Sequence, residues 1–184
     1  MFKKMLLLIG LIAMMAPQVD AQTKTLGISV GPQLGYYKAQ DADDGNLMGG
    51  LAFRFKSKQI FGFEASINYK HEKYSNNQLA VRSWPIMLTG LVYPVPNIYG
   101  EAGVGWYYVT YDYDQNKLPL FKDKTTHEFG WHFGAGVEVP VGEKFKVTGD
   151  VRYVFLDYEF EEIPGSDNLN SNFYVITIGL LFAL

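Results

Sequence analysis

The chain contains no cysteine. That excludes disulfides, thiolate metal sites, thiol catalysis and the lipidated cysteine that anchors bacterial lipoproteins. It also lacks long apolar runs. The longest is Met5–Met15, eleven residues against the roughly 20 needed for a membrane-spanning helix. Charge of one sign is scarce too, with 16 Lys and Arg against 19 Asp and Glu. A faint acidic excess argues against nucleic acid as a partner. Only three histidines are present, His71, His127 and His132.

The short apolar run has a meaning of its own. Lys3 and Lys4 precede it, Pro17 follows, and the small-residue spacing Val19-Asp20-Ala21 leads into Gln22. This is the layout of a secretory signal peptide over residues 1–21, cleaved after Ala21, with an uncleaved anchor as the alternative. Residues 22–184 then form one domain.

What remains is rich in aromatics (16%) and glycine (19 residues), and its hydrophobicity repeats every two residues. Period two means strands. Eight alternating stretches run over about 25–38, 46–57, 60–73, 78–93, 97–113, 126–141, 144–160 and 171–184. The connections Ser57-Lys58-Gln59, Pro94-Val95-Pro96 and Gly142-Glu143 are tight, whereas 39–45, 74–77, 114–125 and 161–170 are longer and polar. Short turns at one end and longer loops at the other, with an even strand count, describe an all-β, eight-stranded antiparallel transmembrane β-barrel, an up-and-down meander. Both termini then lie at the short-turn, periplasmic end.

The two faces of each strand separate a membrane barrel from a soluble one. Phe129, Trp131, Phe133, Ala135, Val137 and Val139 alternate with Glu128, Gly130, His132, Gly134, Gly136 and Glu138. In the last strand Tyr174, Ile176, Ile178, Leu180, Phe182 and Leu184 oppose Val175, Thr177, Gly179, Leu181 and Ala183. An eight-stranded barrel has room inside for side chains only, so the tiny and charged face belongs inside and the bulky face meets lipid. Aromatics gather in two belts. Phe53, Phe55, Phe61, Phe63, Tyr93 and Phe182 lie near the tight turns. Tyr36, Tyr69, Trp106, Tyr108, Trp131, Tyr153, Phe155 and Tyr174 lie toward the loops. In strand four, Trp84, Ile86, Leu88 and Val92 compete with Met87, Leu91 and Tyr93 for the outward face, and Pro85 marks a bulge.

The segments IYGEAGVGWYY, EFGWHFGAGVEVPVGEKFKVTGDVRYVFLDY and FYVITIGLLFAL resemble the small outer-membrane β-barrel domain family, common in Bacteroidota and similar in shape to OmpX and the OmpA barrel. The resemblance covers residues 22–184 and implies an integral barrel of the cell outer membrane. It implies as partners outer-membrane lipid and lipopolysaccharide, the barrel-assembly machinery and other envelope proteins. The family's members are structural, adhesive or secretion-accessory. Many barrel assembly signals end on an aromatic; here Leu184 stands last, with Phe182 two residues earlier. Ending at strand eight, the chain is expected to be a monomer without the peptidoglycan-binding domain that follows the OmpA barrel.

Two constellations stand out. Arg54, Glu64, Glu101, Glu138, Asp150 and Arg152 share the inward face within about seven residues of the tight turns. They predict a charged layer low in the barrel, either an ion-pair plug or a gate, and in neither case a general porin. The second is an acidic rim of Asp41, Asp43, Asp44, Glu159, Glu161, Glu162 and Asp167, solvated or recruiting divalent cations that bridge to lipopolysaccharide phosphates. The run Asp41–Asn46 has its glycine one place early for an EF-hand and no distal glutamate. No catalytic residue, cofactor or resident metal is predicted. A lipid-modifying enzyme would need a serine beside a histidine, but no serine sits two residues from any of the three, which are read as girdle or loop histidines. The readings in order are a plugged structural or interaction barrel, an accessory or docking subunit of a secretion or envelope machine (PorT-like), and, disfavoured, the enzyme.

Overall fold

A computed structural model describes residues 27–39, 45–57, 60–74, 79–113, 124–156 and 172–184. Alternation of large apolar with small or polar residues produces eight strands and, among the described residues, no helix. They are β1 (Gly27–Ala39), β2 (Asn46–Lys56), β3 (Phe61–Tyr74), β4 (Leu79–Val95), β5 (Ile98–Tyr113), β6 (Lys124–Val141), β7 (Phe145–Phe155) and β8 (Phe173–Ala183). Each pairs antiparallel with its neighbours in sequence, and β8 returns to β1, closing the barrel. The eight-stranded meander anticipated from periodicity is therefore the fold. The expected continuation of strand seven through 157–160 lies outside the described residues.

Closure removes the open edge that a final strand would otherwise leave. At the end of β8, the Ala183 amide donates to the Lys144 carbonyl at 2.7 Å and the Leu184 amide to the Ile28 carbonyl at 3.0 Å. The β1–β8 seam is tight midway. A Cβ on Gly31 would run into the Leu180 carbonyl, and Pro32 beside it has no amide to donate. The register nevertheless continues unchanged from Val30 opposite Phe182 to Gln33 opposite Gly179.

Tight turns occur where the backbone demands them. Between β4 and β5 the hairpin closes on Val95 opposite Ile98. Pro96 and Asn97 form the corner, Asn97 at φ 69°, so the turn sits two residues later than Pro94-Val95-Pro96 suggests. Gly142, at φ 81°, opens the β6–β7 turn; a Cβ there would meet nothing, so the requirement is conformational rather than spatial.

Two expectations for strand four are corrected. Pro85 does not make a bulge: it stands opposite Tyr107 in an unbroken β4–β5 register, and the β3–β4 register is the same on both sides of it. A missing amide costs the ladder a rung without inserting a residue. The register shift lies instead between Val92 and Val95, flanking Pro94. Tyr93, placed above in the turn-end belt, is buried inside the barrel. Trp84, Ile86, Leu88 and Val92 take the outward face, which sends Met87, Leu91 and Tyr93 inward.

The outer surface is apolar to a degree no water-soluble monomer tolerates. Leu34, Leu47 and Ile178 are 69, 74 and 64% exposed, in company with Phe63, Trp131, Phe133 and Leu180. Aromatic side chains pack against one another across strands, including Trp131 stacked on Phe155 at 3.8 Å between ring centroids. Such a face is stable only against hydrocarbon, and a closed barrel satisfies every strand amide that lipid cannot.

Candidate functional site: the barrel interior

The six charged residues singled out from the sequence meet inside the barrel, each no more than 5% exposed. Glu64 sits between two arginines. Its Oε2 accepts from Arg54 Nε at 2.9 Å, its Oε1 from Arg152 Nη2 at 2.9 Å. Arg54 reaches on to Glu138, Nη1 to Oε2 at 3.0 Å. Arg152 Nε donates to Asp150 Oδ1 at 2.8 Å and lies 3.0 Å from Glu101 Oε1. One N–H cannot serve both acceptors well, so Glu101 is held by charge and neither of its oxygens has a hydrogen-bond partner.

The layer is larger than the sequence suggested. Lys56 and Lys146 approach Glu138 Oε1 at 3.4 and 3.2 Å from the turn end. Tyr93 donates to Glu138 Oε2 at 2.9 Å and Tyr99 to Asp150 Oδ2 at 3.3 Å. Both rings also face cations, Lys56 Nζ lying 3.7 Å from the Tyr93 centroid and the Arg54 guanidinium 4.7 Å from that of Tyr99. Glu64, Glu101, Glu138 and Asp150 thus balance Arg54, Arg152, Lys56 and Lys146. Balance matters because a buried charge is tolerated only when paired and hydrogen-bonded. The two lysines and Tyr99 were legible in principle, since they share the inward parity of Arg54, Asp150 and Glu101; Tyr93 was not, because strand four carries large apolar residues on both faces.

The glycines of the inner face seat particular large side chains, and Gly103 and Gly134 also lie against the Leu88 and Val151 carbonyls, closer than any side chain. A Cβ on Gly134 would lie 2.8 Å from Glu101 Oε1, and one on Gly136 2.5 Å from the Tyr99 ring. Gly103 seats the His132 imidazole and Gly105 the Tyr107 ring, each at 2.8 Å from such a Cβ. Big residues thereby fit into an interior with little width.

Above the ionic layer the interior changes character twice. Gln33 donates to Asn68 at 2.7 Å, and Thr89 Oγ1 lies 2.9 Å from His132 Nε2. His132 is therefore an interior residue rather than a girdle or loop histidine, a consequence of its parity with Gly134. His127 does belong to the outer girdle, edge-on to Tyr108 with centroids 4.8 Å apart. Nearer the loops, Tyr37, Val81, Tyr107, Val109, Val154, Phe173 and Val175 close the lumen, each at most 3% exposed. Lys70 is embedded among them, its Nζ 4.1, 5.3 and 5.7 Å from the centroids of Phe173, Tyr37 and Tyr107. The sequence reading singled out only the charged residues of the inner face and so left this collar unnamed; extending the inward parity of Glu64 to Lys70 would have found its centre.

The acidic rim, Asp41, Asp43, Asp44, Glu159, Glu161, Glu162 and Asp167, lies outside the described residues. Among the described residues, no three His, Asp or Glu side chains converge as metal ligands.

Residues 5–182 match the family model described as outer membrane protein beta-barrel domain. The chain belongs to that family. It is an outer-membrane β-barrel protein, as the lipid-compatible exterior requires. Comparison with curated proteins yields no match. Solved structures similar to this chain are small outer-membrane barrels. A major outer membrane protein from Thermus thermophilus is 12% identical with a TM-score of 0.63, covering 87% of this chain and 100% of that one. The N-terminal β-barrel domain of Pseudomonas aeruginosa OprF is 13% identical with a TM-score of 0.56, covering 86% and 99%. The Yersinia pestis attachment invasion locus protein Ail is 12% identical with a TM-score of 0.53, covering 86% and 97%. At these identities the likeness is one of fold.

Proposed function

We propose that this outer-membrane barrel is plugged and does its work from its surface, as a structural or interaction protein of the cell envelope. Its tight turns and both termini face the periplasm and its longer loops face outward. The observation that carries the reading is the lumen: a charge-balanced ionic layer near the turns and a buried aromatic collar near the loops, in a barrel whose width suits side chains alone. Opening the turn end to solute would separate Arg54 from Glu64 and Arg152 from Asp150. Breaking one such buried pair costs about 3–5 kcal/mol.

The expected outcome in planar bilayers is no steady single-channel conductance from the full-length protein; a resolved, reproducible conductance would sink the plug. Affinity capture of the tagged protein from cross-linked cells separates the free-standing barrel from a docking subunit of a secretion or envelope machine. Reproducible recovery of a defined set of envelope proteins assigns the docking role. No second reading is favoured by the geometry. For lipid-modifying chemistry in particular, the buried His132 ring meets Thr89 Oγ1 rather than a serine.

A further inference from the structure

The three histidines occupy different chemical settings. His132 lies inside the barrel with its Nε2 2.9 Å from Thr89 Oγ1. The Nε2 of His71 is shut off from solvent. His127 alone of the three is a fully exposed residue, on the outer face of β6. Its cross-strand partner is Tyr108 on β5, and the two rings meet edge-on with their planes 88° apart. Two residues nearer the turns, Trp106 stands opposite Phe129, also edge-on, with centroids 5.7 Å apart. Trp106, Tyr108 and Phe129 are all exposed. An open crevice of about 210 Å³, lined by Trp106, Tyr107, Tyr108 and His127, connects the two rows.

At about 3.3 Å per strand residue the rows are roughly 7 Å apart. A flat ring system set between them lies within aromatic packing distance of both. Two residues toward the loops the surface turns polar, where Thr110 stands opposite Thr125 with the hydroxyls 3.3 Å apart. Two residues toward the turns from Trp106 it is apolar, where Val104 stands opposite Trp131. The crevice therefore sits on the boundary between hydrocarbon and water, where one edge of a ligand can be apolar and the other charged.

Aromatic walls alone would accept any flat apolar molecule. The imidazole narrows the choice, because histidine is the commonest side-chain ligand for metal ions. A bare cation does not fit, since among the described residues no three His, Asp or Glu side chains converge. An iron porphyrin does fit. It brings its own ring of nitrogen ligands and asks the protein for a single axial imidazole.

We propose that this crevice captures an iron porphyrin, with His127 as axial ligand and Trp106, Tyr108 and Phe129 packed against the macrocycle. On binding, a ring nitrogen of neutral His127 replaces a water on the ferric ion, and no electron moves. The porphyrin carboxylates turn toward water, because hydrocarbon rejects an unpaired charge. The argument needs neither the plug nor a given orientation of the barrel, so its failure would leave both untouched.

Absorbance titration of the full-length protein in detergent micelles with ferric protoporphyrin IX tests it, against the same micelles without protein. The expected result is a shifted Soret band that saturates at one porphyrin per barrel, with the spectrum of histidine-ligated iron. Metal-free protoporphyrin keeps the flat apolar body but has nothing to coordinate, and should bind about tenfold or more weakly. His127→Ala should lose about tenfold or more in affinity for the iron porphyrin, and added imidazole should restore the ligated spectrum. His71→Ala leaves the titration unchanged. No saturable change beyond that in micelles alone overturns the site. So does metal-free porphyrin bound as tightly as the iron form, or a folded His127→Ala variant that holds the iron porphyrin as tightly as the unmodified protein. The metal-free comparison uses unmodified protein and stands even if a variant folds poorly.

Discussion

The two ends of the lumen are closed by opposite chemistries. Near the tight turns, four carboxylates and four cations interlock, and single side chains hold several partners each. Near the loops, Tyr37, Tyr107, Phe173 and the surrounding valines fill the same cross-section, with Lys70 among their rings. An ionic closure concentrates its energy in few contacts and fails sharply when one partner is lost. An aromatic closure spreads its energy over many weak contacts and degrades gradually. The barrel therefore has one end that resists any single charge removal poorly and another that tolerates single changes well.

Arg152→Ala is the hardest blow to that contrast. It strips Glu64 of one of its two arginines and leaves Asp150 and Glu101 without their shared cation. The expected loss is about 3–5 kcal/mol, the cost of an uncompensated buried charge. It is measured by urea unfolding in lipid vesicles, read from the heat-dependent gel shift of folded barrels. A loss below about 1 kcal/mol would mean that water reaches the ionic layer and solvates the orphaned acids.

Next in size is Gly105→Val, which fills the socket of Tyr107 at the loop end. The clash is with the far edge of the ring rather than with backbone. The collar is expected to yield by turning Tyr107, at a cost of about 1–3 kcal/mol. The same assay checks it, and a shortened partner, Tyr107→Leu, should recover part of the loss when combined with it. A cost equal to that of Arg152→Ala would erase the difference between the ends.

Much of this was written in the sequence, and the limits have physical causes. Strict period two in β5, β6 and β8 announced both the strands and the side of each residue, because a one-residue slip would invert every side chain. The ionic layer followed from the same parity, since charges at lipid-facing positions of a barrel are strongly disfavoured. Parity broke down in β4. There both faces carry large apolar residues, Met87, Leu91 and Tyr93 against Ile86, Leu88 and Val92, so hydrophobicity alone cannot orient the strand. The glycines were legible as small but not as sockets. Which large side chain occupies Gly134 or Gly136 depends on cross-strand register, and that is fixed only on closure. Tyr37 and Phe173 were hidden for a related reason: an inward aromatic in a plugged barrel has the composition of a girdle residue.

Lys70→Met sharpens the comparison from the gentler side. Methionine keeps the unbranched shape, and its thioether also packs favourably on aromatic rings. What it removes is the ammonium, which lies 4.1 Å from the Phe173 centroid and within 5.7 Å of the other two. Cation–π contacts at a desolvated site contribute about 2 kcal/mol or more, and burial of the charge opposes them. The expected net loss is therefore about 1 kcal/mol, several-fold below that of Arg152→Ala although both residues are buried cations. A stability curve unchanged in slope but shifted by that amount would place the lysine as a filler of the collar. A loss approaching 3–5 kcal/mol would make the loop end ionic in character as well, and the two ends would then differ in composition but not in how they fail.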